Sequence, residues 1–307
     1  MKFLPTLTLA TCLFASSLLA GSIPDELKTG GFAVGCQAYT FNRFSVFEAI
    51  EKTAQAGGKV IEFYPGQKLS KEEPTLKFGH ETAREVPAED PKAKPKAVPV
   101  TDEEARGVWD KVKAKCKEHG ITPMAYGVVG LSPDEAKSRK VFEFCKAMGI
   151  RVINTESVDA LDTAEKLVKE FDIKVGIHDH PKRPDNPNYR VWDPNYVLEV
   201  TKDRDARMGA CADIGHWIRS GLKPVDCLRI LKGRIMSSHM KDLHAPLPSG
   251  HDVPWGQGVS GVKECLDELK AQGFEGPISV EYEHKWEDNV GDAKLCIDFV
   301  RAYGAGK

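Results

Sequence analysis

Short apolar runs rich in β-branched residues alternate with longer amphipathic runs of helical period along most of this chain. That alternation predicts parallel strands linked by helices. The predicted strands are Ala33–Thr40, Lys59–Tyr64, Thr122–Val129, Arg151–Glu156, Lys174–His178, Met208–Asp213, Ile235–Lys241 and Ile278–Tyr282. The helical runs that follow them are Ser45–Ala56, Asp102–His119, Ser132–Met148, Asp159–Phe171, Pro194–Thr201, Lys223–Lys232, Val262–Gln272 and Gly291–Tyr303. Eight strands, each followed by a helix, is the count of an α/β protein closed as a (β/α)8 TIM barrel. Gly57-Gly58, Gly120, Gly149 and Gly273 come directly after helical runs, as helix-ending glycines do. Ser132-Pro133-Asp134-Glu135 reads as a cap and first turn. An open doubly wound sheet is the alternative, but it usually carries a glycine-rich phosphate loop after its first strand, and GCQAYTFNRF has none.

The rhythm breaks once. Pro65 to Val100, which includes VPAEDPKAKPKAVPV, is rich in Pro, Lys and Ala without usable periodicity. It reads as a long loop on the face of the barrel where substrates bind, inside one domain covering residues 21–307. Residues 1–20 pair Lys2 with an apolar run from Phe3 to Leu19 and end in small residues, the pattern of a cleaved secretory signal peptide. The run is short and diluted by Thr and Ser, so no stable membrane anchor is expected. Thr11 before Cys12 makes a poor lipoprotein box. The expected location is periplasmic or secreted.

Over the 307 residues the net charge is −2, with both signs interspersed, which argues against nucleic acid or an anionic membrane as partner. A hydrophobic content of 41% is enough for a sizeable core. Cys36, Cys116, Cys145, Cys211, Cys227, Cys265 and Cys296 form no CxxC pair and are expected as buried thiols, although export would allow a pair to oxidise.

Polar residues gather at the predicted C-terminal strand ends: Glu62, Glu156, His178 to His180, Asp213 with His216, His239 with Lys241 and Asp242, then Glu281 and Glu283. In a barrel those ends converge on one pocket, so His178, Asp213, His239 and Glu281, from four consecutive strands, form a candidate site for one divalent ion. Any one of them alone is more often a satisfied core or surface group. Mn is the preferred ion for mixed imidazole and carboxylate donors, and Co, Fe, Zn or Mg also fit. Glu281 and Glu156 are candidate bases, and Lys241 is a candidate either to hold a substrate oxygen or to pair with Asp242 or Glu283. His180, His216, His251, Trp255 and Glu62 are candidate contacts to a small-molecule substrate, with Trp217, Tyr39 and Phe41 adding a stacking wall.

At these residues the chain resembles the xylose-isomerase-like barrels, which include sugar isomerases, ketose epimerases and endonuclease-IV-type AP endonucleases. CADIGHW resembles the Asp-x-x-His of strand six, SSHMKD the strand-seven His motif, ISVEYE strand eight, and HDVPWGQG the loop that closes over substrate. The resemblance runs from Val34 to Phe299 and implies that Asp213, His239 and Glu281 bind metal, with Glu281 also the base. The exported subgroup it is most similar to is labelled sugar phosphate isomerase/epimerase, and some relatives act on 3-keto-glycosides. The chain departs from the epimerases on strand five, where His178 stands in place of a Glu that serves as ligand and second base. Two neutral His, one Asp and one Glu put two negative charges on the ion instead of three, which favours a lyase or hydratase acting on a 3-keto-glycoside or related keto-sugar. The alternatives are an isomerase or epimerase of a free ketose, and a non-catalytic sugar-binding barrel with a structural metal. An AP endonuclease needs three metals, and IEFYPG and MAYGVVG supply no histidines for them.

Overall fold

The computed structural model describes residues 21–88 and 94–306. The expected signal peptide, with Cys12, lies outside those residues. Eight parallel strands close into a barrel: β1 (Ala33–Gln37), β2 (Val60–Phe63), β3 (Thr122–Tyr126), β4 (Val152–Thr155), β5 (Lys174–His178), β6 (Met208–Asp213), β7 (Ile235–Met240) and β8 (Pro277–Val280). Each strand pairs with its neighbours in sequence, and β1 closes the ring against β8 through Ala33↔Pro277 to Cys36↔Val280. The expected closed barrel is therefore observed, and the open sheet is excluded.

The helices are α1 (Val46–Gln55), α2 (Asp102–Glu118), α3 (Glu135–Met148), α4 (Leu161–Phe171), α5 (Pro194–Thr201), α6 (Ile214–Arg219), α7 (Pro224–Ile230), α8 (Val262–Ala271) and α9 (Val290–Gly304). Their apolar stripes pack onto the outer face of the barrel, so Ile50, Val112, Phe142, Leu167, Leu228, Leu266 and Ile297 share one core with Val34, Ile61, Ile153 and Ile177. Ser45 caps α1 in a capping box with Glu48. The cap of α3 is Asp134, whose carboxylate accepts from the Ala136 amide at 3.0 Å, two residues later than the sequence suggested. The seven cysteines from Cys36 to Cys296 are free and buried.

Two segments differ from expectation. The stretch read as an aperiodic loop holds a four-stranded antiparallel sheet: Gln67–Lys68, Leu76–Phe78, Ala83–Val86 and Lys96–Pro99. Its strands are two to four residues long, too short for periodicity to register, and it is anchored by buried Leu69, Leu76 and Phe78. The second is α6, a single turn after β6 whose start is fixed by the Asp213 carboxylate accepting from the His216 amide at 2.9 Å.

Strand ends peel outward at the mouth. β1 stops at Gln37, whose side-chain oxygen accepts from the Tyr39 amide and starts a 3₁₀ turn over Ala38–Phe41. Within that turn Thr40 Oγ1 donates to the Val280 carbonyl and accepts from the Tyr282 amide, both at 3.0 Å, clamping the first strand to the last on either side of Glu281. Among the described residues no helix is long and apolar enough to cross a membrane. The Thr40→Val variant is expected to lose about 1–3 kcal/mol, because a buried amide and carbonyl both lose their partner. Chemical denaturation checks this, and an unchanged midpoint would show that the strand ladder alone holds the seam.

Candidate metal centre and cleft

Strand register decides which side chains meet. Cys211 of β6 lies opposite His178 of β5, Asp213 opposite His239 of β7, and Met240 opposite Val280 of β8. One residue on, Lys241 and Glu281 face each other, with the Lys241 ammonium 2.6 Å from Glu281 Oε2. The donor atoms of His178, Asp213, His239 and Glu281 all lie within 4.8 Å of one another. His178 Nε2 is 3.1 Å from His239 Nδ1, which is 3.1 Å from Glu281 Oε2. Two ligands about 2.1 Å from one ion and at right angles are about 3.0 Å apart, so these spacings fit a common divalent cation.

A polar layer under the cluster sets the imidazole of β7. His239 Nε2 donates to Glu62 Oε2 at 2.9 Å, and the same oxygen accepts from Ser279 Oγ at 2.8 Å. Glu62 Oε1 accepts from Asn154 Nδ2, whose own Oδ1 accepts from Ser237 Oγ. That leaves His239 Nδ1 as the nitrogen facing His178 and Glu281, the carboxylate–histidine arrangement that orients a metal ligand. Glu62 was expected to touch substrate. It is 1% exposed with both oxygens engaged, and it acts through His239 instead.

Of the two expectations for Lys241, the ion pair with Glu283 is the one observed. Its buried Nζ lies 2.8 Å from Asp213 Oδ2, 2.6 Å from Glu281 Oε2 and 3.1 Å from Glu283 Oε2, so its donors are spent on three carboxylates and none points into the cleft. Burial alone would raise the carboxyl pKa values, yet Lys241 with His216 and His178 holds Asp213 well below the usual carboxylate range. Lys241 with His239 does the same for Glu281. Burial pushes the His178 imidazole down, which leaves it neutral and fit to coordinate. Burial also disfavours charge on His239, but Cys211, Glu62 and Glu281 around it raise its pKa well above the ordinary value. Proton and metal ion therefore compete for His239 Nδ1.

Above the cluster opens a cleft of about 330 Å³ lined by Gln37, Tyr39, Tyr64, Pro65, Gly127, Val128, His178, His180, His216, Glu281 and Glu283. His180 and His216 are on its wall as expected, with their rings stacked at 5.0 Å. Glu156 sits behind His180. Burial raises its pKa, but His180 and Tyr189 outweigh this and hold it below the ordinary value. Trp255 and Trp217 are core residues, as is Phe41, so the expected stacking wall reduces to Tyr39, packed edge-on against Tyr64 and Trp286. His251 stacks on His244 at 3.8 Å and lies 4.4 Å from His284, apart from the cleft lining. The loop that carries it is pinned by Asp242, whose carboxylate accepts from the amides of Gly256, Gly258 and Ser260. Tyr64, Gln37 and Tyr189 were not foreseen, because none belongs to a motif. A larger groove of about 820 Å³ lies outside the barrel between α7 and α8 and carries none of the strand-end groups.

A barrel with a mixed imidazole and carboxylate cluster at the ends of β5 to β8 defines a class, and comparison with known proteins gives the family. The chain belongs to the xylose isomerase-like TIM barrels, whose family model matches residues 50–303. It is similar to an uncharacterised protein from Parabacteroides distasonis at 29% identity, TM-score 0.62, covering 88% of this chain and 98% of that one. A D-tagatose 3-epimerase-like protein shares the fold at 15% identity, TM-score 0.62, with 88% and 96% covered. So does an L-ribulose 3-epimerase at 13% identity, TM-score 0.61, with 89% and 94% covered. No protein of curated function matches the chain.

Uptake of Mn²⁺ by metal-free protein is expected to release about one proton and to tighten as pH rises, because His239, whose pKa is raised by its neighbours, must lose its proton to coordinate. Calorimetry in buffers of different ionisation enthalpy checks this, and pH-independent uptake would contradict it. Glu62→Gln is expected to weaken the ion about 10- to 100-fold by loosening His239. An unchanged affinity would show that Glu62 does not orient it.

Proposed function

We propose that the protein is a divalent-metal-dependent isomerase or epimerase of a keto-sugar. The observation that carries this reading is the four-residue donor set of His178, Asp213, His239 and Glu281 at the floor of an open cleft. An ion bound there supplies a Lewis acid for a sugar carbonyl and its neighbouring hydroxyl. Among the four, Glu281 is the carboxylate that also lines the cleft, and it is placed to remove the proton α to that carbonyl. Support comes from two barrels of the same fold named for 3-epimerase chemistry on D-tagatose and L-ribulose.

A second reading, elimination or hydration across C1–C2 of a 3-keto-glycoside, is favoured by one observation: an imidazole, His178, occupies the β5 donor position. The export expected from the N-terminus disfavours phosphorylated substrates for either reading. The two are separated by incubating Mn²⁺-loaded protein in D₂O with D-tagatose, L-ribulose and a 3-keto-glucoside and following the products by NMR. Deuterium at the α-carbon with an inverted or isomerised product is the expected result, and released aglycone supports the lyase. Glu281→Gln is expected to lower turnover at least about 10²-fold. Absence of exchange, inversion and release across the panel would leave a sugar-binding barrel and overturn the proposal.

A further inference from the structure

The cleft and its rim differ in charge. The cleft lining holds the carboxylates of Glu281 and Glu283 and no Lys or Arg side chain. Cations gather instead on the segment between β5 and α5, which leaves the cleft wall at His180 and reads HPKRPDNPNYRVWDPNY into the first turn of the helix. Each of its three cations lies over an aromatic ring. Lys182 Nζ is 4.7 Å from the Trp192 ring centre, Arg183 Cζ is 3.9 Å from that of Tyr189, and Arg190 Cζ is 4.0 Å from that of Tyr196. All three cations are exposed. Among the described residues Lys182 and Arg183 have no ion-pair partner, and Arg190 has only Glu199, at 3.6 Å. The acids of the same segment are Asp185 and Asp193, and Asp193 is engaged in capping α5 through the Asn195 amide at 2.9 Å.

The segment is held in shape without a ligand. Pro181, Pro184 and Pro187 restrict its backbone. Two turns close it, with the Asn186 amide donating to the Arg183 carbonyl and the Tyr189 amide to the Asn186 carbonyl, both at 3.1 Å. The Lys182 amide donates to Ser220 Oγ at 2.9 Å and ties the segment to the end of α6. A guanidinium laid flat on a ring keeps its N–H edges available and loses little further freedom on binding an anion. Tyr189 joins this rim to the cleft. Its hydroxyl donates to Glu156 Oε1 at 2.5 Å and accepts from the His180 amide at 3.0 Å, while its face carries Arg183. We propose that the rim recognises the carboxylate of an acidic saccharide, so that the substrate class is a keto-sugar joined to a uronate. The neutral keto ring occupies the cleft, and the uronate carboxylate takes the N–H fork of Arg183 with Lys182 beside it. This rests on the isomerase or epimerase reading above. Neutral ketoses fill the cleft but forgo the rim, and so act as truncated substrates that lack its binding energy.

The test titrates the Mn²⁺-loaded full chain with α-1,4-digalacturonate, with the neutral galactose disaccharide of the same linkage and with inorganic phosphate, followed by calorimetry. At low salt the diuronate is expected to bind at least about 10-fold more tightly than the neutral disaccharide, and to lose most of that margin in about 0.5 M NaCl. Arg183→Gln is expected to weaken the diuronate about 10-fold. Arg183→Lys is expected to restore only part of the loss, because the charge returns without the planar fork. Both variants change an exposed side chain and are expected to keep the wild-type melting temperature and one ion per chain. Mn²⁺ is expected to broaden the proton resonances of the bound diuronate relative to Mg²⁺-loaded protein, because one of its rings reaches the cleft. Equal affinity for the acidic and neutral disaccharides overturns the proposal, and so does a diuronate affinity unchanged in Arg183→Gln. Phosphate binding as tight as that of the diuronate also overturns it, by revealing an anion site without saccharide recognition. Absence of broadening in protein that holds its ion puts the rim off the substrate path and overturns the substrate assignment. Failure of the functional reading has a different signature: no sugar is exchanged or turned over, yet the diuronate still binds at Arg183 and is broadened. In that case the acidic-saccharide site stands on a barrel that binds sugar without converting it.

Discussion

A buried ammonium organises this barrel's mouth. Lys241 is fully enclosed, and a cation taken out of water is tolerated only where enough negative partners surround it. Asp213, Glu281 and Glu283 provide them from the ends of β6 and β8. The side chain can reach all three because of the barrel register, which sets His239 beside Asp213 and Met240 beside Val280. Removing any one carboxylate would leave the ammonium short of a partner, so the shape of the metal cluster and the burial of Lys241 are a single constraint. An ion held by Asp213 and Glu281 would share their carboxylates with the ammonium, and each carboxylate has lone pairs enough for both.

That arrangement changes the charge argument drawn from the ligands alone. The donor set carries two negative charges, but Glu62 under His239 and Glu283 beside Lys241 lie in the same low-dielectric pocket. Four carboxylates against one ammonium leave three net negative charges in the pocket, one more than the ligands alone supply. Counting ligand charges alone is therefore a weak guide to how electrophilic an ion held there would be, and the case for elimination over isomerisation weakens accordingly.

Much of this was legible in the chain. Short apolar runs between helical patterns located all eight barrel strands, because parallel strands buried on both faces are continuous apolar runs that stand out from amphipathic helices. That His178, Asp213, His239 and Glu281 would cluster was legible because strand-end polar residues are expensive to bury and few in number. Direction within the site was less so. Glu62 was read as facing substrate, and Lys241 as facing substrate or pairing with Glu283, since sequence position says that a residue is at the mouth but not which of its neighbours will saturate it. The partners of Glu156 illustrate the same limit: Tyr189 lies in a segment without period, and nothing in its neighbourhood marks it as reaching back to β4. Trp255 was misplaced for the opposite reason, because an aromatic ring near a functional loop packs inward as readily as it faces a sugar.

The small sheet inserted after β2 ends in an exposed strand, Lys96–Pro99, paired on one side to Ala83–Val86 and uncovered on the other. An open edge of this kind invites pairing with another chain. Pro95 and Pro99 bracket it without amides to donate, and Lys96 adds a charge that resists a second strand. The Pro- and Lys-rich composition that makes this stretch look structureless is what keeps a folded sheet edge from becoming an aggregation template.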